Sequence, residues 1–197
     1  MLFRSMNSII SRLIFLSVVI LSFAQTQVFA QIQNESPQTW VLDPSGSEIS
    51  YTGVHLLHEW TGVNKKLVGL MNTNQGQIDM IAISAKVADF DSGNENRDAH
   101  ALELLDVFDF PNVRFLAKKF TRNGQKIVMD GVLQFRGVSR DISVAMNIES
   151  KAEQFKVFGN FTVQPTLFEM PLPSFMLKDI DDALDISVML LFTPDIK

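Results

Sequence analysis

The chain has 197 residues and no cysteine. Disulfides, thiol chemistry and lipid anchoring through a cysteine are thereby excluded. It also lacks a surplus of basic charge. Against 17 Lys and Arg stand 22 Asp and Glu, a net charge of −5, which argues against nucleic acid and anionic lipid headgroups as partners. The apolar run at residues 13–24 falls short of the roughly 20 residues that a membrane span needs. There is one Tyr, two Trp and three His, so polar aromatic handles are few. No G-x-S-x-G, no P-loop and no carboxylate pair with a defined partner occurs. Internal repeats and low-complexity tracts are absent, and no strand-length run is followed by a helix long enough for a parallel crossover.

The N-terminus carries Arg4 and Arg12, then the apolar run, then Val28-Phe29-Ala30 ending in a small residue. This is the pattern of a secretory signal peptide over residues 1–30, with cleavage expected after Ala30 and export to the periplasm or beyond. The leader holds two Arg and no acid, so its removal takes the net charge from −5 to −7. Residues 31–38 are polar, include Pro37 and read as a flexible lead-in. Residues 39–197 fit one domain.

That domain alternates apolar and polar residues almost throughout. Ile49 and Tyr51 share a face, as do Ile81, Ile83, Ala85 and Val87. The same holds for Val113, Phe115 and Ala117; for Ile127, Met129, Gly131, Leu133 and Phe135; and for Ile142, Val144, Met146 and Ile148. Phe155, Val157, Phe161 and Val163 form the next set, and Leu184, Ile186, Val188, Leu190 and Phe192 close the series. Asn123-Gly124, Gln75-Gly76 and Arg136-Gly137 are turn signals between such runs. The reading is an all-β, antiparallel sheet of about eight strands, closed as a barrel or packed as a sandwich. Two segments break the pattern. Residues 92–110 place Leu102, Leu105 and Phe108 at helical spacing, with Ser92, Asn94 or Asn96 as cap and Pro111 as terminator. Residues 165–182 mix Pro165, Pro171 and Pro173 with Leu167, Phe168, Met170, Phe175 and Met176; they are too apolar for a solvated loop and predict a segment across a barrel end or along an edge.

An apolar face is in the first instance an ordinary core. Of sixteen Phe in the chain, four lie in residues 1–30 and twelve in the remainder, against one Tyr and two Trp; these and two apolar inserts that look like covers point instead to a container. Periodicity alone does not separate a filled barrel from one that holds a ligand.

Four stretches carry a family likeness: T-W-V-L-D-P-S-G-S-E-I-S-Y from Thr39, G-V-H-L-L-H-E-W-T-G-V from Gly53, N-E-N-R-D-A-H-A-L-E-L-L-D-V-F-D-F-P-N-V-R-F from Asn94, and G-V-L-Q-F-R-G-V-S-R-D-I from Gly131. In this order the chain resembles the YceI-like family of exported, lipocalin-like barrels. The resemblance implies an antiparallel eight-stranded barrel with a short helix inserted mid-chain. It also implies an apolar interior that holds an isoprenoid lipid, a quinone or a prenyl phosphate, exchanged by transient membrane contact. Two stretches depart from the family pattern. The helical block is less Phe-rich, and residues 165–177 are richer in Met and Leu; both bear on which lipid fits.

The predicted inward faces nominate Phe115, Leu133, Phe135, Val144, Met146, Phe161, Ile186 and Val188 as lining. Arg97, Asp98 and His100 form the best polar cluster, either meeting a lipid head group at the mouth or clamping the helix to the strand ends. His55, His58 and Glu59 invite a metal reading. Residues three apart on a strand point to opposite faces, and the H-E-x-x-H pattern is missing, so a polar edge is expected there instead. Asp179, Asp181, Asp182 and Asp185 lack the Gly and terminal Glu of a calcium loop and read as solvated acids. Ser139 and Ser143 lie on the polar face beside Arg140 and Asp141 without a base. No cofactor and no catalysis are expected. The alternatives are a filled-core β-protein that binds a protein partner through residues 165–177, or protects against stress, and an enzyme that uses Asp98 and His100 as acid and base.

Overall fold

Period-two patterning produces a strand wherever one face can be buried, and here nearly every such run is one. The computed structural model describes residues 36–55, 58–151, 153–172, 174–175, 178–179 and 181–195. The expected leader and the first residues of the lead-in lie outside the described residues. The strands are β1 (Gln38–Leu42), β2 (Glu48–His55), β3 (His58–Asn64), β4 (Leu67–Asn74), β5 (Gln77–Lys86), β6 (Asn112–Asn123), β7 (Lys126–Phe135), β8 (Val138–Lys151), β9 (Gln154–Val163), β10 (Ser174–Phe175), β11 (Lys178–Asp179) and β12 (Leu184–Pro194), with one helix, α1 (Glu95–Leu104), between β5 and β6.

Ten of these strands form one antiparallel sheet, and β10 pairs with β11 separately. The sheet closes because β1 pairs with both β4 and β12. β1 and β2 lie end to end along β12, with Trp40 opposite Pro194 and Thr52 opposite Asp185. The break between them is a short 3-10 turn at Pro44–Gly46, whose capping Asp43 side chain accepts from the Ser45 N–H at 2.9 Å. β3 and β4 likewise share one position in the ring. Their corner is fixed by fully buried Asn64, which donates to the Lys86 carbonyl at 3.0 Å and accepts from the Lys66 N–H at 2.8 Å. The barrel thus has eight staves, two of them built from paired short strands. The fold expected from the sequence is the fold observed.

The hairpins follow their turn chemistry. Arg136 and Gly137, at φ 46 and 77, form a two-residue turn between Phe135 and Val138, the left-handed pair that matches strand twist. The β6–β7 turn is centred one residue later than its Asn-Gly signal implies. Asn123 still pairs with Lys126, so Gly124 and Gln125 make the turn.

The barrel has two unlike ends. At one, where β6 turns into β7 and β8 into β9, the interior is filled. Met71, Ile81, Ile127, Ile148, Val157 and Phe192 are each at most 1% exposed. Trp40 stands edge-on to Phe155 at 4.6 Å between ring centroids and donates its indole N–H to Thr73 Oγ1 at 3.1 Å. At the other end, where β5 stops and β6 begins, α1 and residues 165–170 gather.

The helix is shorter than expected. Asn94 caps it, accepting from the Arg97 N–H at 3.1 Å, and it ends at Leu104 instead of continuing toward residue 110. Asp106 takes a left-handed φ of 50, and its carboxylate is held by Arg136 from the β7–β8 turn. The chain therefore turns back to the barrel, and Phe108, placed on the helix by its spacing, is 99% exposed on the turn that follows. Of the two placements expected for residues 165–182, residues 165–170 take the first, while β10 and β11 pair only with each other. The 3-10 turn Pro165–Phe168 lies across the barrel end, with Phe168 buried and its ring 5.8 Å from that of Phe135.

Candidate functional site

Between the filled end and the α1 end lies a cavity of about 280 Å3. A buried water needs on the order of 10–15 Å3 by the same kind of measure, so the interior is hollow well beyond a few waters. The filled-core alternative is therefore corrected: side chains fill one end of this barrel only. Trp40, Met71, Phe155 and Phe192 pack together at the closed end, while Phe115, Phe135, Phe161, Ile186 and Val188 border open space in the other half.

All eight residues nominated from strand phase lie on the wall. Phe115 stands on β6, Leu133 and Phe135 on β7, Val144 and Met146 on β8, Phe161 on β9, and Ile186 and Val188 on β12. Leu102, Leu104 and Leu105 add an apolar ceiling from α1 and its end, and Met170 adds a second cover from the Pro-rich segment. Two close approaches occur at glycines of the strands that carry this wall. A Cβ on Gly131 would lie 2.5 Å from the Leu116 carbonyl oxygen, at the bulge where the β6–β7 register shifts. A Cβ on Gly159 would lie 2.8 Å from the Met146 sulfur.

The polar side chains of the wall are concentrated at the mouth. Arg97, Asp98 and His100 all border the cavity. The Asp98 carboxylate accepts from the Ser92 N–H at 3.1 and 3.3 Å and so ties the helix to its leading loop. The Arg97 guanidinium lies over the Trp60 ring, 5.7 Å from its centroid, a cation–π contact that holds α1 against β3. His100 is exposed at the rim.

Tyr51 and Trp60 were not singled out in the sequence, and they complete the mouth. Burial pushes the Tyr51 hydroxyl above its usual pKa and the Asp98 carboxylate adds to this; the Trp60 indole and the Arg97 cation work the other way. The signal for both was present. Tyr51-Thr52-Gly53 and Trp60-Thr61-Gly62 are mirrored about the β2–β3 hairpin, and each aromatic lies opposite a glycine, Tyr51 to Gly62 and Trp60 to Gly53. A Cβ on Gly53 would meet the Trp60 ring at 2.7 Å. Each glycine leaves room for the ring across from it.

His55 and His58 are not three apart on one strand, as the pattern argument assumed. A hairpin falls between them and they are cross-strand partners. The His55 side chain lies outside the described residues; His58 and Glu59 are exposed. Among the described residues no group of three His, Asp or Glu side chains gathers as a metal site. Asp182 accepts from the Thr166 N–H at 3.0 Å and from its hydroxyl at 2.5 Å, and Asp185 accepts from the Thr162 hydroxyl at 2.7 Å. Asp181 is exposed, and the Asp179 side chain lies outside the described residues. Ser139 and Ser143 are exposed on the outer face of β8.

A sequence model of the YceI-like domain matches residues 40–192. Among solved structures, the protein BcnA of Burkholderia cenocepacia is 16% identical, with a TM-score of 0.69 over 76% of this chain and 98% of that one. A polyisoprenoid binding domain of Saccharophagus degradans, implicated in plant cell wall breakdown, is 11% identical, with a TM-score of 0.67 over 80% and 99%. The YceI protein of Campylobacter jejuni is 19% identical, with a TM-score of 0.56 over 73% and 88%. No curated protein matches the sequence.

Proposed function

The chain belongs to the YceI-like family, and from that premise we propose that its half-open barrel binds an isoprenoid lipid, a quinone or a prenyl phosphate, and carries or sequesters it in the periplasm. The observation that carries the proposal is the cavity itself, about 280 Å3 with almost wholly apolar walls. The polyisoprenoid binding described for the Saccharophagus domain of the same fold supports it, and the leader pattern of residues 1–30 supports the location.

The mechanism is desolvation. Each CH2 taken from water into the barrel gains about 0.8 kcal/mol, so a prenyl chain gains far more from the wall than any head group gains from the mouth. Relative to a bilayer the gain is close to nil, since both environments are apolar. A barrel of this kind exchanges lipid with membranes and does not trap it. The mouth groups Arg97, His100 and Tyr51 then meet the polar end of the ligand.

Native mass spectrometry with organic extraction, on protein purified from its own periplasm, tests the proposal. The expected result is a prenyl-chain species at near one per barrel, absent from Phe135→Trp and Val144→Trp, which fill the lumen. Equal lipid content in those folded variants, or an empty wild type after incubation with quinone-containing vesicles, overturns it.

A further inference from the structure

The rim of the barrel mouth carries two apolar side chains that no core accounts for. Phe108, on the turn after α1, is 99% exposed, and Leu167, on the 3-10 turn Pro165–Phe168, is 50% exposed. An isolated exposed Leu needs no explanation. These two, however, are set by one device. Arg136 on the β7–β8 turn holds the Asp106 carboxylate with one guanidinium nitrogen and donates to the Glu169 carbonyl at 2.6 Å with another. Arg140 Nε donates to the Leu167 carbonyl at 2.9 Å. Asp106, Arg136 and Glu169 all have left-handed φ, at 50, 46 and 56. These are three of the four non-glycine residues that do so among the described residues, gathered at one hub. Side chains with a Cβ avoid this region, and such clusters persist where the surroundings enforce them. The hub fixes both turns so that Met170 and Leu105 face the cavity while Phe108 and Leu167 face away from it.

We propose that the mouth docks on a lipid surface of no net charge, with Phe108 and Leu167 as the inserted tips. This rests on the reading of the cavity as a lipid site, since docking there brings its opening against the bilayer. The charge around the tips chooses the class of lipid. Glu103, Asp109 and Glu169 are exposed beside them. The Arg136 charge is committed to Asp106 and the Glu169 carbonyl, and Arg97 lies over Trp60; Arg114 and Arg140 are exposed cations of this end, fewer than the three acids. An anionic surface is repelled by such a rim, whereas a zwitterionic phospholipid surface is not.

Phe108→Trp in the full chain tests this, because the exposed site accepts the indole without repacking and reports its own surroundings. With phosphatidylcholine vesicles its emission is expected to shift to the blue, beyond any change that Trp40 and Trp60 give in the wild type under the same conditions. Adding Leu167→Ser is expected to weaken the partition by roughly tenfold, and phosphatidylglycerol in the vesicles is expected to weaken it too. Unmoved emission with phosphatidylcholine overturns the proposal, as does a shift that only phosphatidylglycerol produces. A shift that follows protein concentration without vesicles assigns the tips to a second copy of the chain and overturns it as well. Binding of a prenyl quinone in detergent is measured in parallel. Quinone binding without the shift overturns docking alone, and the shift without quinone binding overturns the cavity reading alone.

Discussion

Tyr51 is the only tyrosine of the chain, so the phenolate absorbance of the folded protein reports it and nothing else. Burial and the Asp98 carboxylate raise its pKa. A titration is therefore expected to reach its midpoint above the free phenol value of about 10, and Asp98→Asn to bring that midpoint down. The folded protein keeps this proton where the unfolded chain gives it up. The stability contribution is whole below about pH 10 and falls as pH rises through the folded value. Urea midpoints measured on the alkaline side are expected to fall less steeply for Tyr51→Phe than for the wild type; equal slopes would show that the phenol is solvated. At this scale the sequence was legible where strand phase decides direction. Phe115, Phe135 and Phe161 could be placed on the wall because a strand leaves each side chain two choices. Tyr51 and Trp60 were not seen because their burial depends on glycines across a hairpin whose register the pattern of one strand does not contain.

At the scale of elements, the Arg136 hub joins three segments that the strand pattern treats as separate: the end of α1, the β7–β8 turn and residues 165–170. Arg136→Ala removes a charge-assisted bond to Asp106 that is only partly shielded from water, since the Asp106 side chain is 46% exposed. A loss of about 1–3 kcal/mol is expected in chemical denaturation. Amide exchange is expected to quicken at residues 105–110 and 165–170 while β6 and β7 near Gly124 keep their protection. Uniform acceleration along the chain would contradict a local clamp. The same hub explains why the helix was read as too long. Leu102, Leu105 and Phe108 do follow helical spacing, and Pro111 does stop further helix. What ends α1 at Leu104 is a long-range contact to a residue 30 positions away in sequence, which periodicity does not record. Antiparallel pairing with short turns is local by comparison, and so the strand series was readable almost entire. Its blind spots were β3 and β4, where Gly62 and Gly69 and the buried polar Asn64 and Thr73 dilute the alternation.

For the whole molecule, the division into a filled end and a hollow end sets how stability is distributed. Ile148 is 1% exposed in the filled core, while Ile186 lines the cavity and is only partly buried. Ile148→Ala is expected to cost about 2–5 kcal/mol, because the close-packed surroundings cannot collapse into the gap. Ile186→Ala is expected to cost less in the empty protein, because the space beside it is already open. Comparable losses at the two sites would mean that the interior is packed throughout. The acidic balance belongs to this scale as well: 22 acids against 17 Lys and Arg oppose adhesion to anionic surfaces, in line with the docking proposed for the mouth.

One feature of the ring bears on how this protein fails as well as how it works. Among the described residues, the backbone of β3 is bridged on the side away from β2 only between Val63 and Asp91, which lies in the segment leading into α1. Its remaining amides line an edge, and α1 stands beside that edge with Arg97 on Trp60. A bare strand edge recruits strands from other chains. Undocking of the helix, whose ten residues are held by the Asn94 cap, the Asp98–Ser92 bonds and the Arg97–Trp60 contact, would open such an edge next to the apolar interior.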